Sequence, residues 1–412
     1  MAKRFKATEI PAIGKVDKVT QVKEFLKENF EIRINIFDPQ KGEIKSLKRE
    51  YKYGVEFCDV YLAMIEEGIN ASQSLLKTLI TSLNQEHVKV FNPIHEYFSR
   101  VKGSYAGVSH IDKLCTFLRA RSFGDKDDQS YQDRMKYLIK KWIVATAACA
   151  LGIRQNDVAL GFVNNIEGSG KTSLIKFLVP EELTDYYRVS QKDDKKFDIE
   201  LEYTRRLIIN FDELVGITKA NAEQFKMLQS SQVFDIYRPG DTFQRNVSRI
   251  ASAAFTSNKT PESGGFITPE MGYRRFAIIE LDSIDKSYSK VIDVDQIWAE
   301  ALMLINQKGY NYIFDEENYE DFLIYNARYI IQTTSYTVIN ENYEVPKSEA
   351  DGIWQRPIDI LKDLRRARKV NNSMNVSEIT IGVALKALGF YKKAKRGENG
   401  KPAYYYSVKK LF

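Results

Sequence analysis

The feature that most constrains the fold of this chain is a series of short apolar runs between residues 157 and 282. Helical stretches separate these runs. Strands that are apolar along their whole length and alternate with helices are typical of a parallel sheet buried on both faces. The sequence therefore predicts an α/β fold with strands at residues 158–163, 187–189, 207–211, 250–256 and 276–281.

A glycine-rich loop follows the first of these strands and precedes a helical stretch. In order, its residues are Gly168, Ser169, Gly170, Lys171, Thr172 and Ser173. In this context glycines allow backbone amides to converge on the phosphates of a nucleotide at the start of a helix. We expect Lys171 to reach the β and γ phosphates and the Thr172 hydroxyl to bind Mg²⁺. The segment predicts a P-loop nucleotide triphosphatase.

One position departs from the usual pattern of such loops. A glycine is expected five residues before Gly170, where this chain has Asn165. After glycine, asparagine best tolerates left-handed backbone, so we expect the turn to form with Asn165 as part of the nucleotide-binding loop. Distorted loop geometry is expected first at this residue.

Polar side chains follow two further apolar runs. The third run ends in Asp212 and Glu213, 41 residues after Lys171. Open α/β sheets bind ligands at the carboxyl ends of their strands, so we expect Asp212 to hold Mg²⁺ through water and Glu213 to polarise the attacking water. The fourth run leads to Asn258, whose amide can orient water against the γ phosphate. A helix cap or a turn residue is the alternative role for Asn258.

Arg274 and Arg275 stand just before the fifth apolar run. Adjacent residues on a strand point in different directions, so one guanidinium can pack locally while the other projects. In a ring of subunits the projecting group would enter the neighbour's nucleotide site as an arginine finger. An ordinary salt bridge is the alternative.

Charge and cysteine content restrict the partners and the compartment. The 412-residue chain has a net charge of +6, and residues 389–412 carry seven Lys or Arg against one acid. Such a local basic patch indicates a polyanionic partner, with a solvated tail as the alternative. The 3 Cys and 3 His lack disulfide or zinc-site spacing, and no apolar run is long enough to span a membrane. We expect a reducing, cytoplasmic location.

The regions on either side of the predicted sheet differ from it in pattern. Residues 1–90 are basic, with a strand at 30–37 and helical spacing from residue 51, and we interpret them as an N-terminal helical domain, either an oligomerisation collar or a DNA contact. Residues 91–335 would form the ATPase domain with a preceding helical subdomain. Residues 336–412 contain a helix at 377–388 followed by two strands and a hairpin loop, which is winged-helix-like.

Two groups of cations stand out in this C-terminal domain. A basic helix follows Pro357 and includes Arg365, Arg366, Arg368 and Lys369. The predicted wing carries the candidate DNA-binding residues Lys392, Lys393, Lys395 and Arg396.

The order of the motifs resembles the virulence-associated protein E family. GSGKTS at 168–173, INFDEL at 209–214, FTSN at 255–258 and GYRRF at 272–276 carry the resemblance, which covers residues 90–335. Members of this family are P-loop ATPases related to superfamily-three helicases and are often carried by phages and mobile elements. The resemblance implies an AAA+-like core in a hexameric or similar ring that hydrolyses ATP with Mg²⁺ at subunit interfaces and grips DNA in its pore.

The resemblance also assigns residues by position. Asn258 matches the sensor asparagine, and Arg274 or Arg275 matches the finger. Family members place a pore-facing hairpin between the second and third motifs, and residues 234–245 here are consistent with strand, Pro-Gly turn and strand. Phosphate contacts would then come from Lys226, Arg238 and Arg245. Pairing of these arginines with acids in a solvated hairpin is the alternative.

These patterns together predict an ATP-driven DNA helicase or translocase that acts in the replication of a phage, plasmid or mobile element in a bacterial host. Its expected partners are single-stranded or forked DNA and further copies of the chain. One alternative is a nucleotide-dependent DNA-binding switch or defence ATPase that never unwinds DNA. A second alternative, a small-molecule P-loop kinase, would be monomeric and indifferent to DNA.

Overall fold

The computed structural model describes residues 14–190, 198–213, 219–237, 243–268, 271–331, 334–371, 373–374, 376–396 and 402–412. Backbone contacts divide the chain into two compact units, Met1–Arg100 and Val101–Phe412. The finer division at residues 90 and 335 stays a prediction. Among the described residues, no helix combines the length and apolar character needed to cross a lipid bilayer.

The first unit packs helices against a three-stranded sheet. Its elements are α1 (Gly14–Asn29), β1 (Phe30–Asn35), β2 (Asp38–Ser46), α2 (Phe57–Glu66), α3 (Gln73–Thr81), β3 (Val88–Phe91) and α4 (Pro93–Val101). The strand order is β2-β1-β3, with β2 antiparallel and β3 parallel to β1. The strand predicted at 30–37 is confirmed as β1, which buries Phe30, Ile32 and Ile34 in the core of this unit.

The sheet corrects the prediction of a helical N-terminal domain. The sequence of β2 (DPQKGEIKS) is largely polar, and β3 has four residues. β2 therefore lacks the apolar–polar alternation by which a half-buried strand is recognised, and in β3 the alternation of Val88, Lys89 and Val90 is too short to identify a strand. Both owe their strand conformation to pairing with β1, on its two edges.

The second unit begins with the predicted α/β region. Its elements as far as residue 331 are α5 (His110–Cys115), β4 (Leu118–Ala120), α6 (Asp128–Ala150), β5 (Ala159–Val163), α7 (Lys171–Phe177), β6 (Tyr187–Ser190), α8 (Ile199–Tyr203), β7 (Ile208–Phe211), α9 (Lys219–Ser230), β8 (Val233–Ile236), β9 (Arg245–Ser248), β10 (Ser252–Ser257), β11 (Phe276–Ile284), α10 (Tyr288–Val291), α11 (Val294–Asn306) and α12 (Glu316–Asn326).

Six of these strands form one sheet in the order β4-β11-β5-β10-β7-β6. The five predicted strands correspond to β5, β6, β7, β10 and β11 and run parallel to one another. The mixed α/β architecture with parallel strands is therefore confirmed. β4 was not predicted, since three residues are too few for a pattern, and it pairs antiparallel with the end of β11.

Burial on both faces explains the uninterrupted apolar runs. Every residue of β5 and of β10 is buried. Gly161 in β5 lies directly beneath an aromatic ring, because a Cβ placed on it would stand 1.8 Å from Cζ of Phe255. A glycine at this position lets the Phe255 ring lie flat against the strand.

An antiparallel ribbon, β8 and β9, extends from this domain. A hairpin is thus present near the predicted residues 234–245, but its second strand begins only at Arg245, and residues 238–242 of the connection lie outside the described residues. At the base of the ribbon the guanidinium of buried Arg249 donates to four backbone carbonyls. These belong to Ala251 (2.9 Å), Leu228 (3.0 Å), Gln229 (2.9 Å) and Asn156 (2.7 Å). Arg249 therefore fixes the ribbon to α9 and to the start of β10.

The C-terminal part of the second unit has its own apolar cluster. Its elements are α13 (Thr334–Asn342), β12 (Tyr343–Glu344), β13 (Ile353–Gln355), α14 (Pro357–Arg366), α15 (Glu378–Ala387), β14 (Lys392–Arg396) and β15 (Pro402–Lys410). β15 pairs antiparallel with β12, β13 and β14, and α15 packs against α13 and α14.

Candidate nucleotide-binding site

The residues predicted to bind and hydrolyse a nucleotide lie at the carboxyl edge of the parallel sheet. β5 leads into the loop before Lys171, β7 ends just before Asp212, and β10 ends just before Asn258. Because β5 and β7 both pair in parallel with β10, their carboxyl ends lie side by side. Hydrogen bonds join Asn258 to Lys171 and Glu213, and Thr172 to Asp212. The hydroxyl of Thr256 links the two groups through Asp212 and the amide of Glu213.

The side chain of Lys171 is buried among oxygen atoms. These are the carbonyls of Asn164 (3.0 Å) and Ile166 (3.3 Å), the hydroxyl of Ser169 (3.2 Å) and the amide oxygen of Asn258 (2.7 Å). Burial lowers the pKa of Lys171, while the charges of Asp212 and Glu213 oppose that shift. An ammonium group held in this way can reach a phosphate by exchanging these oxygens for phosphate oxygens.

The backbone of the loop requires glycine at two positions. Gly168 has a φ of 70° and Gly170 a φ of 104°, backbone angles that residues other than glycine rarely adopt. Within the described part of the chain, the amides of Gly168, Ser169 and Gly170 have no hydrogen-bond acceptor. Unpaired amides next to a buried lysine suit phosphate oxygens, so the loop fits the predicted ligand.

The geometry corrects the explanation offered for Asn165. Among described residues other than glycine, positive φ occurs at Glu213 and Arg368 and not at Asn165. The turn depends instead on the buried neighbour Asn164, whose Nδ2 donates to the carbonyl of Leu281 (2.5 Å) and whose Oδ1 accepts from the amide of Ile166 (2.6 Å). Asn165 is exposed, and glycine is not required there.

Asp212 connects the loop helix to the sheet. Its Oδ1 accepts from the hydroxyl of Thr172 (2.9 Å) and from the hydroxyl of Thr256 (2.5 Å). Mg²⁺ prefers oxygen ligands and keeps several of its waters, so it needs only one or two protein groups. The hydroxyl of Thr172 and the carboxylate of Asp212 are a donor set that fits this ion.

Asn258 contacts both the cation and the second carboxylate. Its Oδ1 accepts from Lys171, and its Nδ2 lies 3.3 Å from Oε1 of Glu213. Glu213 has a φ of 49°, and its amide donates to Thr256 at 3.3 Å. Left-handed backbone costs a residue other than glycine about 1–2 kcal/mol and is found where the surrounding structure enforces it, often at functional sites.

A cavity of about 420 Å³ borders the loop on the side of β11. Its wall contains three acids, Glu262, Glu280 and Asp282, against one arginine, Arg121. Hydrogen bonding from Arg121 lowers the pKa of Glu262 to about 2, whereas burial raises the pKa of Glu280. The excess of acids makes this cavity unfavourable for a phosphate group. A phosphate is therefore expected on the side of the loop where Lys171 lies.

Arg274 and Arg275 are not brought to this cluster. They lie in a 3₁₀ turn (Tyr273–Arg275) and not on a strand, which corrects the expected setting. β11 follows, with Phe276 opposite Ala159 and Glu280 opposite Val163 of β5. Five strand residues at about 3.3 Å each place the arginines roughly 16 Å from the carboxyl edge, at the opposite edge of the sheet.

The two arginines have different surroundings. Arg275 is half-buried and its Nη2 donates to the hydroxyl of Ser230 at 3.1 Å, and burial lowers the pKa of Arg275. Arg274 is exposed, with its guanidinium 5.8 Å from the centre of the Tyr319 ring. Neither forms an ion pair with a described carboxylate. Arg275 is tied to α9, whereas Arg274 projects outward.

The predicted DNA-contacting residues of the hairpin lie away from the cluster. Arg245 is exposed at the start of β9, opposite Ile236. Lys226 is half-buried on α9, beside Gly272. Arg238 lies outside the described residues. The DNA contacts of all three stay predictions.

The predicted wing residues lie on β14. Nζ of Lys392 is 3.8 Å from the centre of the Tyr404 ring, and Nζ of Lys393 is 3.3 Å from that of Trp354. Lys395 and Arg396 belong to the same strand, where their backbones face Ala403 and Pro402. Their DNA contacts also stay predictions.

Three further residues contribute to the site and were not predicted from the sequence. Asn164 fixes the loop, Thr256 binds both Asp212 and Glu213, and Lys286 donates to the carbonyl of Gly168 at 3.2 Å. Asn164 and Thr256 lie at the carboxyl ends of their strands, a position that marks a site residue in such sheets. No motif or strand end in the sequence marks Lys286 as a site residue.

Sequence comparison identifies the domain that carries this cluster. The profile described as "Virulence-associated protein E-like domain" matches residues 104–329, which is more than half of the chain. The chain belongs to this family. The match includes Lys171, Asp212, Asn258 and Arg274, so the resemblance inferred from the order of motifs is confirmed. No curated protein matches the chain.

Solved structures with a similar backbone include one titled "The apo structure of NrS-1 C terminal region". It aligns with 95% of this chain and 99% of its own, at 14% identity and a TM-score of 0.44. The X-ray structure of JCV helicase aligns with 75% of this chain and 86% of its own, at 10% identity and a TM-score of 0.32.

Proposed function

We propose that this virulence-associated protein E-like chain is an ATP-driven DNA helicase or translocase. It would act in the replication of a phage, plasmid or mobile element in the cytoplasm of a bacterial host. The observation that carries the proposal is the hydrogen-bonded cluster of Lys171, Thr172, Asp212, Glu213 and Asn258 at the carboxyl edge of the parallel sheet. A lysine, two carboxylates and an amide in this arrangement suit phosphoanhydride hydrolysis.

Each residue of the cluster has a separate task in this proposal. The loop amides and Lys171 bind the β and γ phosphates, in a P-loop ATPase core. Thr172 and Asp212 would hold Mg²⁺, which supplies charge to the phosphate oxygens when bound. Glu213 orients and polarises the attacking water, and Asn258 keeps its carboxylate directed while contacting Lys171.

Hydrolysis at a subunit interface is supported by the position of the arginines. Arg274 and Arg275 precede β11 and so lie at the amino edge of the sheet, roughly 16 Å from the cluster by strand length. Neither can serve the site of its own chain. In a closed ring, hexameric as the family resemblance implies, the exposed Arg274 would enter the neighbouring site as the arginine finger, and Arg275 would hold the turn against α9.

DNA contact is proposed for the ribbon and for the C-terminal part. Arg245 on the ribbon, with Lys226 and Arg238, would contact phosphates of single-stranded or forked DNA in a pore. The order β13, α14, α15, β14, β15, with β15 between β13 and β14, supports a winged-helix interpretation. Its wing strand carries Lys392, Lys393, Lys395 and Arg396.

The decisive measurement is the ATPase rate with and without single-stranded DNA, on protein whose native mass is known. We expect a multimer whose turnover rises when DNA is added and which displaces a strand from a fork. Lys171→Ala should abolish turnover, since no other cation in the cluster can replace the ammonium group. Lys176→Ala, which removes an exposed lysine from the same helix, is the matched control and should retain turnover.

Two results would replace this proposal with its rivals. ATP turnover without strand displacement would indicate the DNA-binding switch or defence ATPase. A monomer whose turnover is indifferent to DNA would indicate a small-molecule kinase. Turnover retained by Lys171→Ala would show that the loop does not bind the phosphates.

A further inference from the structure

Five cations cluster at the carboxyl end of α14 and in the turn that follows, a surface that the proposed function does not use. This group, which we name the α14 basic end, comprises Lys362, Arg365, Arg366, Arg368 and Lys369. All five side chains are exposed. None forms an ion pair with a carboxylate in the part of the chain that the structure describes.

The acids of α14 are already engaged by other groups. Asp359 accepts from Arg356 at 2.8 Å, and Asp363 accepts from Lys410 at 2.5 Å and from Gln355 at 2.8 Å. Hydrogen bonds from these partners hold the pKa of both carboxyls below their usual range. Both acids are therefore hydrogen-bonded to groups outside the α14 basic end, and Lys362 and Arg366 attract them only as more distant charges.

The spacing of these cations makes them repel one another. Lys362 and Arg366 are four residues apart on the helix, so they share one face, and like charges at this spacing are unfavourable. The helix dipole favours cations in the last turn and accounts for Arg365 and Arg366. It does not account for Arg368, which follows the helix.

Arg368 stands where a helix of this kind usually ends in glycine. Its φ is 56°, in the left-handed region. The amide of Lys369 donates to the carbonyl of Leu364 (2.9 Å) and that of Arg368 to the carbonyl of Arg365 (3.1 Å), the pair of bonds that defines a Schellman cap. Glycine would adopt this backbone without strain. Arg368 therefore places a third arginine beside Arg365 and Arg366 at a position whose backbone favours glycine.

We propose that the α14 basic end binds the phosphate backbone of double-stranded DNA. The group carries no aromatic side chain on which a base could stack, so its chemistry suits phosphates and not unpaired bases. α15, the helix that follows, is a poor alternative: it carries one lysine against one glutamate and exposes Ile379. This inference rests on the proposed function, which makes DNA the partner of the chain. The five residues lie outside those to which the proposed function assigns DNA contacts.

The test compares two triple variants of the full chain that lose the same charge. One changes Arg365, Arg366 and Arg368 to Gln, and the other changes the exposed Lys113, Lys290 and Lys308 to Gln. Fluorescence anisotropy with a labelled duplex, without nucleotide, measures affinity between 50 and 200 mM salt. We expect the first variant to lose at least about tenfold in affinity and its logarithmic salt slope to fall by about 2.7, at about 0.9 per lost contact. The control should stay within about twofold.

The variant Arg368→Gly distinguishes a role of Arg368 in DNA binding from a role in stability. Glycine relieves the strained backbone, so the thermal midpoint should rise by about 2–4 °C. Affinity for the duplex should fall, and the salt slope should drop by about 0.9. A residue with only a structural role would not show stability and affinity moving in opposite directions.

The outcomes separate this inference from the proposed function. Unchanged affinity and salt slope in the arginine triple variant would overturn the inference, and so would equal losses in the two triple variants. Loss of binding to phosphatidylserine vesicles with unchanged duplex binding would point to a membrane surface and also overturn it. A chain that binds duplex DNA through these arginines but lacks ATPase activity would support the inference and refute the proposed function alone.

Discussion

Asn258 shows how much of the proposed chemistry depends on one side chain. Its amide oxygen accepts from Lys171 at 2.7 Å and its amide nitrogen faces Glu213 at 3.3 Å. The amide group therefore sets the distance between the cation and the carboxylate that would orient water. An amide can do this because it offers a donor and an acceptor at once.

We expect Asn258→Ala to lower kcat for ATP hydrolysis by about 10- to 100-fold, because an interaction of about 1.4–3 kcal/mol with the transition state is lost. KM for ATP should change by less than about threefold. Steady-state kinetics with and without DNA provide both values. Asn258→Asp keeps the shape and the acceptor for Lys171 but presents a second carboxylate to Glu213, so it should lose at least as much. Full activity in the Asp variant would refute this role.

For single residues, the sequence predicts those that belong to a motif. It does not predict residues that act by positioning a neighbour. Lys171 was found because a glycine-rich loop precedes it, and Asp212 and Asn258 because each directly follows a largely apolar strand. The hydrogen bond from Thr256 to Asp212 was not predicted, because the spacing of residues along the sequence does not show which side chains meet across adjacent strands. The left-handed backbone expected at Asn165 was wrong because Asn164 supplies the turn with hydrogen bonds instead.

Among the elements, β5 positions the loop that precedes Lys171, and its packing against β10 depends on the absence of a side chain at Gly161. A Cβ on Gly161 would overlap the ring of Phe255, which is itself held edge-on between the rings of Phe266 and Phe276. The ring cannot move without disturbing this aromatic cluster. The strand is thus fixed to the core directly behind the loop.

Gly161→Ala should therefore destabilise the second unit by about 1–3 kcal/mol through overpacking. Gly382→Ala is the matched control: it lies within α15, where the nearest heavy atom to a new Cβ is 3.5 Å away, on Pro357. Removing a glycine from a helix should leave stability unchanged or raise it by up to about 1 kcal/mol. Urea unfolding followed by circular dichroism measures both. Equal stability of the two variants would mean that the Phe255 ring can move aside.

The elements that the sequence predicted are those whose burial imposes a pattern. β5 and β10, in the middle of the parallel sheet, are buried at every residue, and the largely apolar runs there made the sheet recognisable. β2, β3 and β4 are short or polar strands whose conformation comes from pairing: β2 pairs with the preceding strand β1, and β3 and β4 pair with strands far along the chain. The N-terminal domain was consequently mistaken for a helical one.

On the scale of the whole molecule, the length of the parallel strands separates the cluster around Lys171 from Arg274. The cluster around Lys171 lies at the carboxyl edge, and Arg274 lies at the amino edge, roughly 16 Å away by the rise of five strand residues. A hydrolytic site that uses this arginine is complete only between two copies of the chain. The proposed assembly follows from the placement of these groups within one subunit.

Mixing two inactive variants tests this directly. Arg274→Ala should bind nucleotide but not hydrolyse it, and Lys171→Ala should do neither. In a randomly mixed ring with equal amounts of each, about a quarter of the interfaces combine an intact Lys171 site with an intact Arg274 from the neighbour, so up to about a quarter of the wild-type ATPase rate should return. Arg275→Ala is the companion variant: because its guanidinium is bound to Ser230, it should lower the thermal midpoint. If no activity returns at any ratio although mixed oligomers form, Arg274 does not act in the neighbouring site.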